Sequence, residues 1–380
     1  MKFSRGQLVP PFDPVASGGV LRHEIREFLA EWYEAHDVRP RIDGWVSGWD
    51  PDFSAALATR GWVGMAVPIE FGGGGLSPYE RHIVAEELLV AGAPIAFHWF
   101  ADRQIAPALL KYGSSKQKAR YLPAISRGQC SFALGLSEPD AGSDLAAVRT
   151  KAERVDGGWK LSGVKIWTSN AHRAGSMTVL ARTATSAETP HWKALSQFIV
   201  DLPDTKVTVR PITQLGGSHH FNEVYFDDLL VPEESVLGEV GAGWKQVTSE
   251  LAWERSGPER FLTTYPLFRS LLASTTRDTA DSVALGATVS RLWCLHHLSL
   301  RVAGALTRGE TPTVAAALVK DLGTELEGDI VEIARSLDRP GLSGDFRNLL
   351  ADATLLSPGF TLRGGSTEVL RGIVARELTA

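Results

Sequence analysis

Between Cys130 and the LLVPEES stretch the chain breaks into short apolar runs, SFALGL, GGWKLSGVKIWT, MTVLAR, SQFIVDL, KVTVRP and NEVYFDD, each bounded by Gly, Pro, Asp or Asn. Several short strands at this spacing with no helix between them predict a small antiparallel barrel or sandwich. On either side the periodicity changes. HEIREFLAEWYEAH, SPYERHIVAEELLVAG and RQIAPALLKYGSSKQKARYLPAI before it carry apolar residues at helical spacing. So do SVALGATVSRLWCLHHLSLRVAGAL, TVAAALVKDLGTELEGDIVEIARSL and STEVLRGIVAREL after it. A chain of 380 residues exceeds one usual core. The expectation is an α+β protein of three parts: helical over 1–130, a β domain over 131–235 and helical again over 236–380.

Composition narrows the partners. Hydrophobic residues make up 44% and charged residues 22%, with a net charge of −5 from interspersed charges. No basic run is long enough to follow a phosphate backbone or an anionic membrane, so neither nucleic acid nor a membrane is an expected partner. MKFSRGQLVPPFDP lacks an apolar core of signal-peptide length, and no segment reaches a membrane span, which predicts a cytoplasmic protein. Cys130 and Cys294 are too few for a disulfide framework or a metal clip and are expected as core thiols. His219 and His220 in GGSHHFNE lack the matching spacing of a metal site, and His296 and His297 are expected to pack within a helix. EFGGGGLS has no phosphate-loop Lys and hydroxyl, and is expected to join two helices.

Three stretches carry residue types suited to chemistry. LGLSEPDAGSDL, residues 134–145, packs Pro139, Gly142 and small polar residues into a tight loop whose amides and hydroxyls suit a polar ring or a phosphate, or only a surface turn. GVKIWTSN, residues 163–170, follows a hairpin turn at Asp156–Gly158. Strand alternation there puts Lys165, Trp167 and Ser169 on one face, an indole beside a hydroxyl. In WKQVTSELAWERSGPERF, taken as one helix, Trp244, Val247, Leu251, Pro258 and Phe261 draw an apolar stripe on which Glu254 falls. A carboxylate on a face meant for burial needs a partner or a proton. What Glu254 is there to do is open on the pattern alone; a pair with Arg255 or Arg260 is one answer.

SEPDAGSD and WTSN at their mutual spacing, with KYGSSKQKARYLPAI and GWVGMAVPIEFGGGGLS before them and FNEVYFDDLLVPEESVLGEVGAGW after, resemble the acyl-CoA dehydrogenase family. The resemblance runs from about residue 20 to the carboxyl terminus and is densest over 60–260. It implies an amino-terminal helical domain, a middle antiparallel β-barrel domain, a carboxy-terminal four-helix bundle, and FAD as cofactor. It implies that Leu134, Leu136, Ser137, Gly142, Ser143, Trp167, Thr168, Ser169, Ser366 and Glu368 hold the flavin nucleotide. The Leu136 amide and Ser137 hydroxyl would meet the ring's pyrimidine end, Trp167 would pack on the isoalloxazine, and Ser169 would donate toward N5. Ser143 would touch the pantetheine arm of a CoA ester, and Arg255 would brace the base or that arm.

In one branch of the family the base is a Glu in the carboxy-terminal segment. Counted back from IVAR in FTLRGGSTEVLRGIVAREL, that position here is Gly364. A second branch, which includes isovaleryl-CoA dehydrogenase, carries the base on the first helix of the last domain, followed by Arg, and that count lands on Glu254 and Arg255. The resemblance therefore implies α,β-desaturation of an acyl-CoA to the trans-2-enoyl-CoA, with Glu254 as base and an electron-transferring flavoprotein as acceptor. A flavin oxidase or monooxygenase on the same fold, and a non-catalytic partner subunit, are the other readings.

Family members also carry Arg-x-x-Phe-Gly and Gly-Gly-x-Gly elements that hold the pyrophosphate and adenine of FAD across a subunit boundary. STTRDTADSVALG and ARSLDRPGLSGD stand in their places, and neither element is visible. TLRGGSTEVLRGIVAREL resembles the actinobacterial branch that has hetero-oligomeric members. Either a second kind of subunit completes the FAD site, or a homo-oligomer, dimer or tetramer, binds FAD in a divergent pocket.

Overall fold

The computed structural model describes residues 18–184, 190–274, 279–337 and 342–379. In chain order the helices are α1 Gly18–His36, α2 Gly44–Ser47, α3 Pro51–Thr59, α4 Pro78–Ala91, α5 Ala96–Phe100, α6 Ala106–Tyr112 and α7 Ser115–Ser126. Eight strands follow: β1 Phe132–Gly135, β2 Lys151–Val155, β3 Gly158–Ser169, β4 Ser176–Arg182, β5 Leu195–Asp201, β6 Val207–Pro211, β7 Phe221–Pro232 and β8 Val236–Leu237. Then come α8 Gly243–Ser256, α9 Tyr265–Ser274, α10 Thr279–Thr307, α11 Thr313–Ser336, α12 Gly344–Leu356 and α13 Thr367–Thr379. None of the described helices is long and apolar enough to cross a membrane. The amino-terminal MKFSRGQLVPPFDP stretch lies outside the described residues.

Contacts divide the chain into two units. One holds Trp49–Leu76 and Ile95–Glu250, the other Met1–Gly48, Ser77–Pro94 and Leu251–Ala380.

The first unit is built on the sheet, in the order β6-β7-β3-β2-β4-β5-β8, with β1 paired to β4. The strand runs are where turn residues delimit them, and β2 and β3 form the hairpin across Asp156–Gly157. An all-antiparallel barrel was the expectation, and the sheet differs in two ways. β1 and β2 both pair with β4 in parallel, so the sheet is mixed, and no pairing closes β6 onto β8 among the described residues. Which strand β4 takes as neighbour is a matter of topology, which the local pattern of each run does not encode. Trp159, Leu161, Met177, Val179, Phe198 and Val224 fill the face of the sheet. A second cluster, Leu109, Leu122, Ile125, Phe132 and Ile199 among its members, joins α6 and α7 to the sheet.

The second unit is helical. Capping fixes the start of α4, where Ser77 and Glu80 satisfy each other's amides in a capping box behind Pro78. Arg22 donates to Glu86 and to Glu87 at 2.6 Å each, and Arg26 donates to Glu87 at 2.7 Å, which ties α1 to α4. His296, on α10 as the helical pattern requires, bonds Glu86. Cys130 is half-buried, but Cys294 is exposed on α10 beside a Trp293 that is itself 64% exposed. The expectation of two core thiols fails at Cys294 because the α10 sequence is apolar on more than one face, so its pattern does not say which side packs inward.

Candidate active site

Two groups of residues, one in each unit, carry the functional expectations. In the sheet unit the Leu134–Ser143 segment leaves β1 and turns back on itself, Glu138 and Ala141 exchanging backbone hydrogen bonds at 2.9 and 3.1 Å. Leu134, Leu136 and Ser137 are half-buried, while Gly142 and Ser143 are exposed. What fixes this turn is a buried ion pair. Lys165, fully buried on β3, donates to Glu138 at 2.7 Å and to the Leu136 carbonyl at 3.1 Å. The Glu138 carboxylate also accepts from the amides of Arg149 at 2.6 Å and Thr150 at 2.9 Å. The Ile166 amide donates to the Ser137 carbonyl at 2.9 Å, so β3 holds the turn from behind. Burial pushes Lys165 down to about 8, against Glu138 beside it. Burial alone would raise Glu138, but Lys165 and the amides hold it below the ordinary carboxylate value.

The alternation expected for Lys165, Trp167 and Ser169 does not survive. The register of β3 against β7 shifts between Lys165 and Thr168, and Trp167 sits in the left-handed region at φ 58°. This bulge turns Lys165 inward and Trp167 outward, leaving the indole 55% exposed and edge-on to Phe221 at 5.7 Å. Left-handed backbone costs a bulky residue about 1–2 kcal/mol, strain of the kind that collects where a side chain must be aimed. Thr168 is fully buried, its carbonyl accepting from Asn222 at 3.0 Å and its hydroxyl without a partner. Ser169 is half-buried, in register with Phe221. An outward indole beside the Leu136–Ser137 turn, with an orphaned buried hydroxyl next in the chain, fits one face and one polar edge of a planar heterocycle such as a flavin.

In the helical unit the stripe drawn through Phe261 is cut short. The helix ends at Ser256, and Gly257 leads into a 3₁₀ turn, Pro258–Arg260, because a proline ring cannot sit in a helix interior. Glu254 thus lies in the last turn of α8 with 18% of its side chain exposed, and it is paired. Arg260 returns from the 3₁₀ turn and donates from Nε to the Glu254 carbonyl at 2.9 Å and from Nη2 to Oε1 at 3.3 Å. Arg255 is buried and donates from Nε to the Gly364 carbonyl at 3.3 Å. Burial lowers its pKa, with the Glu254 carboxylate opposing.

Gly364 has φ 72°, and a Cβ built on it would lie 2.8 Å from Nη2 of Arg260. Around this turn, Lys320 donates to the Thr361 carbonyl at 3.0 Å, and Arg363 grips Asp43 at 2.7 and 2.8 Å. Glu327, fully buried, accepts from the Thr263 amide at 2.7 Å. Burial pushes Glu327 up to about 7 and Lys320 down to about 7. Ser366 is half-buried and Glu368 is exposed at the start of α13, its acid lowered by its own amide and by the Ser366 hydroxyl. Parts of STTRDTADSVALG and ARSLDRPGLSGD, residues 275–278 and 338–341, lie outside the described residues. Among the described residues no cluster of His, Cys, Asp and Glu is arranged to hold a metal ion. Sequence reasoning did not find Glu138 as part of these groups; its signal was an acid beside Pro139 in a loop and a lysine within a strand. The pairing of Glu254 with Arg260, one of the alternatives the sequence left open, is present in the structure.

Comparison with known proteins gives the family. Residues 20–129 match the acyl-CoA dehydrogenase N-terminal domain and residues 133–229 the acyl-CoA dehydrogenase middle domain. Acyl-CoA dehydrogenase FadE29 of Mycobacterium tuberculosis is 33% identical over 93% of this chain and 94% of its own length. Acyl-CoA dehydrogenase FadE34 of the same organism is 32% identical over 85% of this chain, which spans only 45% of that relative. Among solved structures, "Tcur3481-Tcur3483 steroid ACAD" superposes with a TM-score of 0.83 at 28% identity, covering 96% of this chain and 97% of that one. The ChsE4-ChsE5 complex from Mycobacterium tuberculosis superposes with a TM-score of 0.79 at 26% identity, covering 97% and 98%. The class is that of flavin-dependent oxidoreductases with a helical, sheet and helical order. The chain belongs to the acyl-CoA dehydrogenase family, whose members bind FAD.

Proposed function

We propose that the chain removes two hydrogens across the α,β bond of an acyl-CoA thioester, with Glu254 the base that takes the α-proton and the trans-2-enoyl-CoA the product. The observation that carries this is the state of the two base positions. Residue 364 has no side chain, and Arg260 holds Glu254 through its backbone carbonyl and one oxygen of its carboxylate. A general base works from a fixed position within hydrogen-bond reach of its proton, and the two contacts restrict both the backbone and the side chain of Glu254. Arg255, through the Gly364 carbonyl, fixes the turn opposite.

Leu134, Leu136, Ser137, Gly142, Ser143, Trp167, Thr168 and Ser169 are the residues assigned here to the flavin, with Ser143 and Arg255 toward the thioester arm and Ser366 and Glu368 toward the rest of FAD. When bound, FAD supplies the acceptor for the hydride leaving the β-carbon. Lys165 and Glu138 keep the Leu136–Ser137 turn in place from the protein side. The barrel-like middle domain and four-helix carboxy-terminal bundle of the family are the architecture this reading expects over 131–235 and 236–380, after a helical 1–130.

Two further elements belong to the reading. The substrate class is a branched or steroid acyl-CoA, supported by likeness to the solved Tcur3481-Tcur3483 steroid ACAD at 28% identity. The assembly is an oligomer in which another subunit completes the FAD site, supported by likeness to a solved two-component complex, with an electron-transferring flavoprotein as the acceptor in a cytoplasmic setting. The test is a panel of short branched, straight-chain and steroid acyl-CoA thioesters assayed with wild type and Glu254→Gln. Wild type turns over at least one class, and the variant keeps its fold and loses turnover. Full turnover by Glu254→Gln overturns the assignment.

A further inference from the structure

We propose that Arg260 is the positioning residue of this site, doing so from the volume that a side chain at residue 364 would occupy. The inference rests on the reading of Glu254 as base and deepens it. The Arg260 side chain is 1% exposed, a costly place for a guanidinium unless its donors are used. It spends two of them on one residue, the carbonyl and the carboxylate of Glu254, at 2.9 and 3.3 Å. Its plane lies 5.5 Å from the Trp45 ring, and Glu259 approaches at 3.6 Å. Nη1 has no hydrogen-bond partner among the described residues.

The guanidinium stands against the bare backbone of Gly364. A Cβ there would lie 2.8–2.9 Å from Nη2, Cζ and Nη1, closer than real Cβ contacts come, and φ 72° already disfavours any other residue. A side chain at 364 would therefore displace the guanidinium from the position in which it holds Glu254. The other charges in this neighbourhood are Arg255 beside Glu254, Lys320, Asp321 and Glu327 on α11, and Arg363 with Asp43. Arg260 lies within ion-pair distance of the Glu254 carboxylate, at 3.3 Å.

The test compares Arg260→Gln and Arg260→Lys with wild type, using whichever thioester of the panel above is turned over fastest. Loss of the grip in Arg260→Gln lowers kcat by about tenfold while KM stays within about twofold of wild type. Arg260→Lys recovers part of that kcat but not all of it, since an ammonium replaces the charge but not the two-point grip.

A readout independent of turnover is a melting cycle of Glu254→Gln, Arg260→Gln and the double variant. Coupling makes the double variant's loss in Tm smaller than the sum of the single losses. A kcat that falls only in step with folded protein, or strictly additive Tm losses, overturns the proposal. Retained turnover in Glu254→Gln, by contrast, sinks the assignment of the base while the melting cycle still reports on the clamp.

Discussion

At the residue scale, the helical unit concentrates charge in its interior around one turn, Thr361–Gly365. Lys320, Arg255, Arg260 and the turn's own Arg363 are the cations, with Asp43, Glu254, Glu259 and Glu327 as the acids. Such groups are held at a cost in desolvation, and Glu327 shows it by retaining its proton up to about 7. The native acid keeps its proton above the ordinary 4.5 at which the unfolded chain gives it up, so the stability it lends is complete below 4.5 and is lost as pH rises through about 7. Glu327→Gln should remove this dependence. Urea unfolding at pH 5 and pH 7 should show wild type losing stability across the interval and the variant losing clearly less, and parallel losses would count against a protonated Glu327.

At the element scale, the function depends on departures from regular structure. The bulge in β3 sets Trp167 outward at φ 58°, and a hidden Lys165–Glu138 pair anchors the turn beside it. Because the indole is 55% exposed and its backbone strained, Trp167→Gly should melt within about 1 kcal/mol of wild type, the relief of strain offsetting the lost packing. The same change should weaken FAD binding about tenfold, measured by flavin fluorescence, because an aromatic face is worth roughly 0.5–1.5 kcal/mol. Unchanged affinity would remove Trp167 from the site.

The strands themselves were legible, since Gly, Pro and Asp delimit each run and apolar residues mark the buried ones. Alternation failed at 165–167 because a bulge is a property of pairing with β7, and β7 lies far along the chain. The end of α8 was written in Gly257-Pro258, yet the contact of Arg260 with Gly364 was not, for nothing local links a turn at 258–260 with one at 361–365.

At the scale of the whole molecule, the order of helices, strands and helices was plain in the periodicity, and the family followed from two motifs and their spacing. The parallel pairing of β1 with β4 was not, because strand order is a matter of topology and each run looks alike from within. The same holds for assembly. If a second kind of subunit completes the FAD site, this chain expressed alone should carry well under one FAD per chain by absorbance, and co-expression with that subunit should restore it. One full FAD per chain in the protein alone would establish a self-sufficient homo-oligomer.

The central claim is that one carboxylate on α8 takes the α-proton, and its most direct measurement is a single anaerobic turnover. FAD-loaded wild type and Glu254→Gln are each mixed with excess of the best thioester, and bleaching of the flavin band is followed. Loss of the base should slow bleaching by about a hundredfold or more at unchanged thioester affinity. Bleaching at the wild-type rate would contradict the account and move the base elsewhere in the chain.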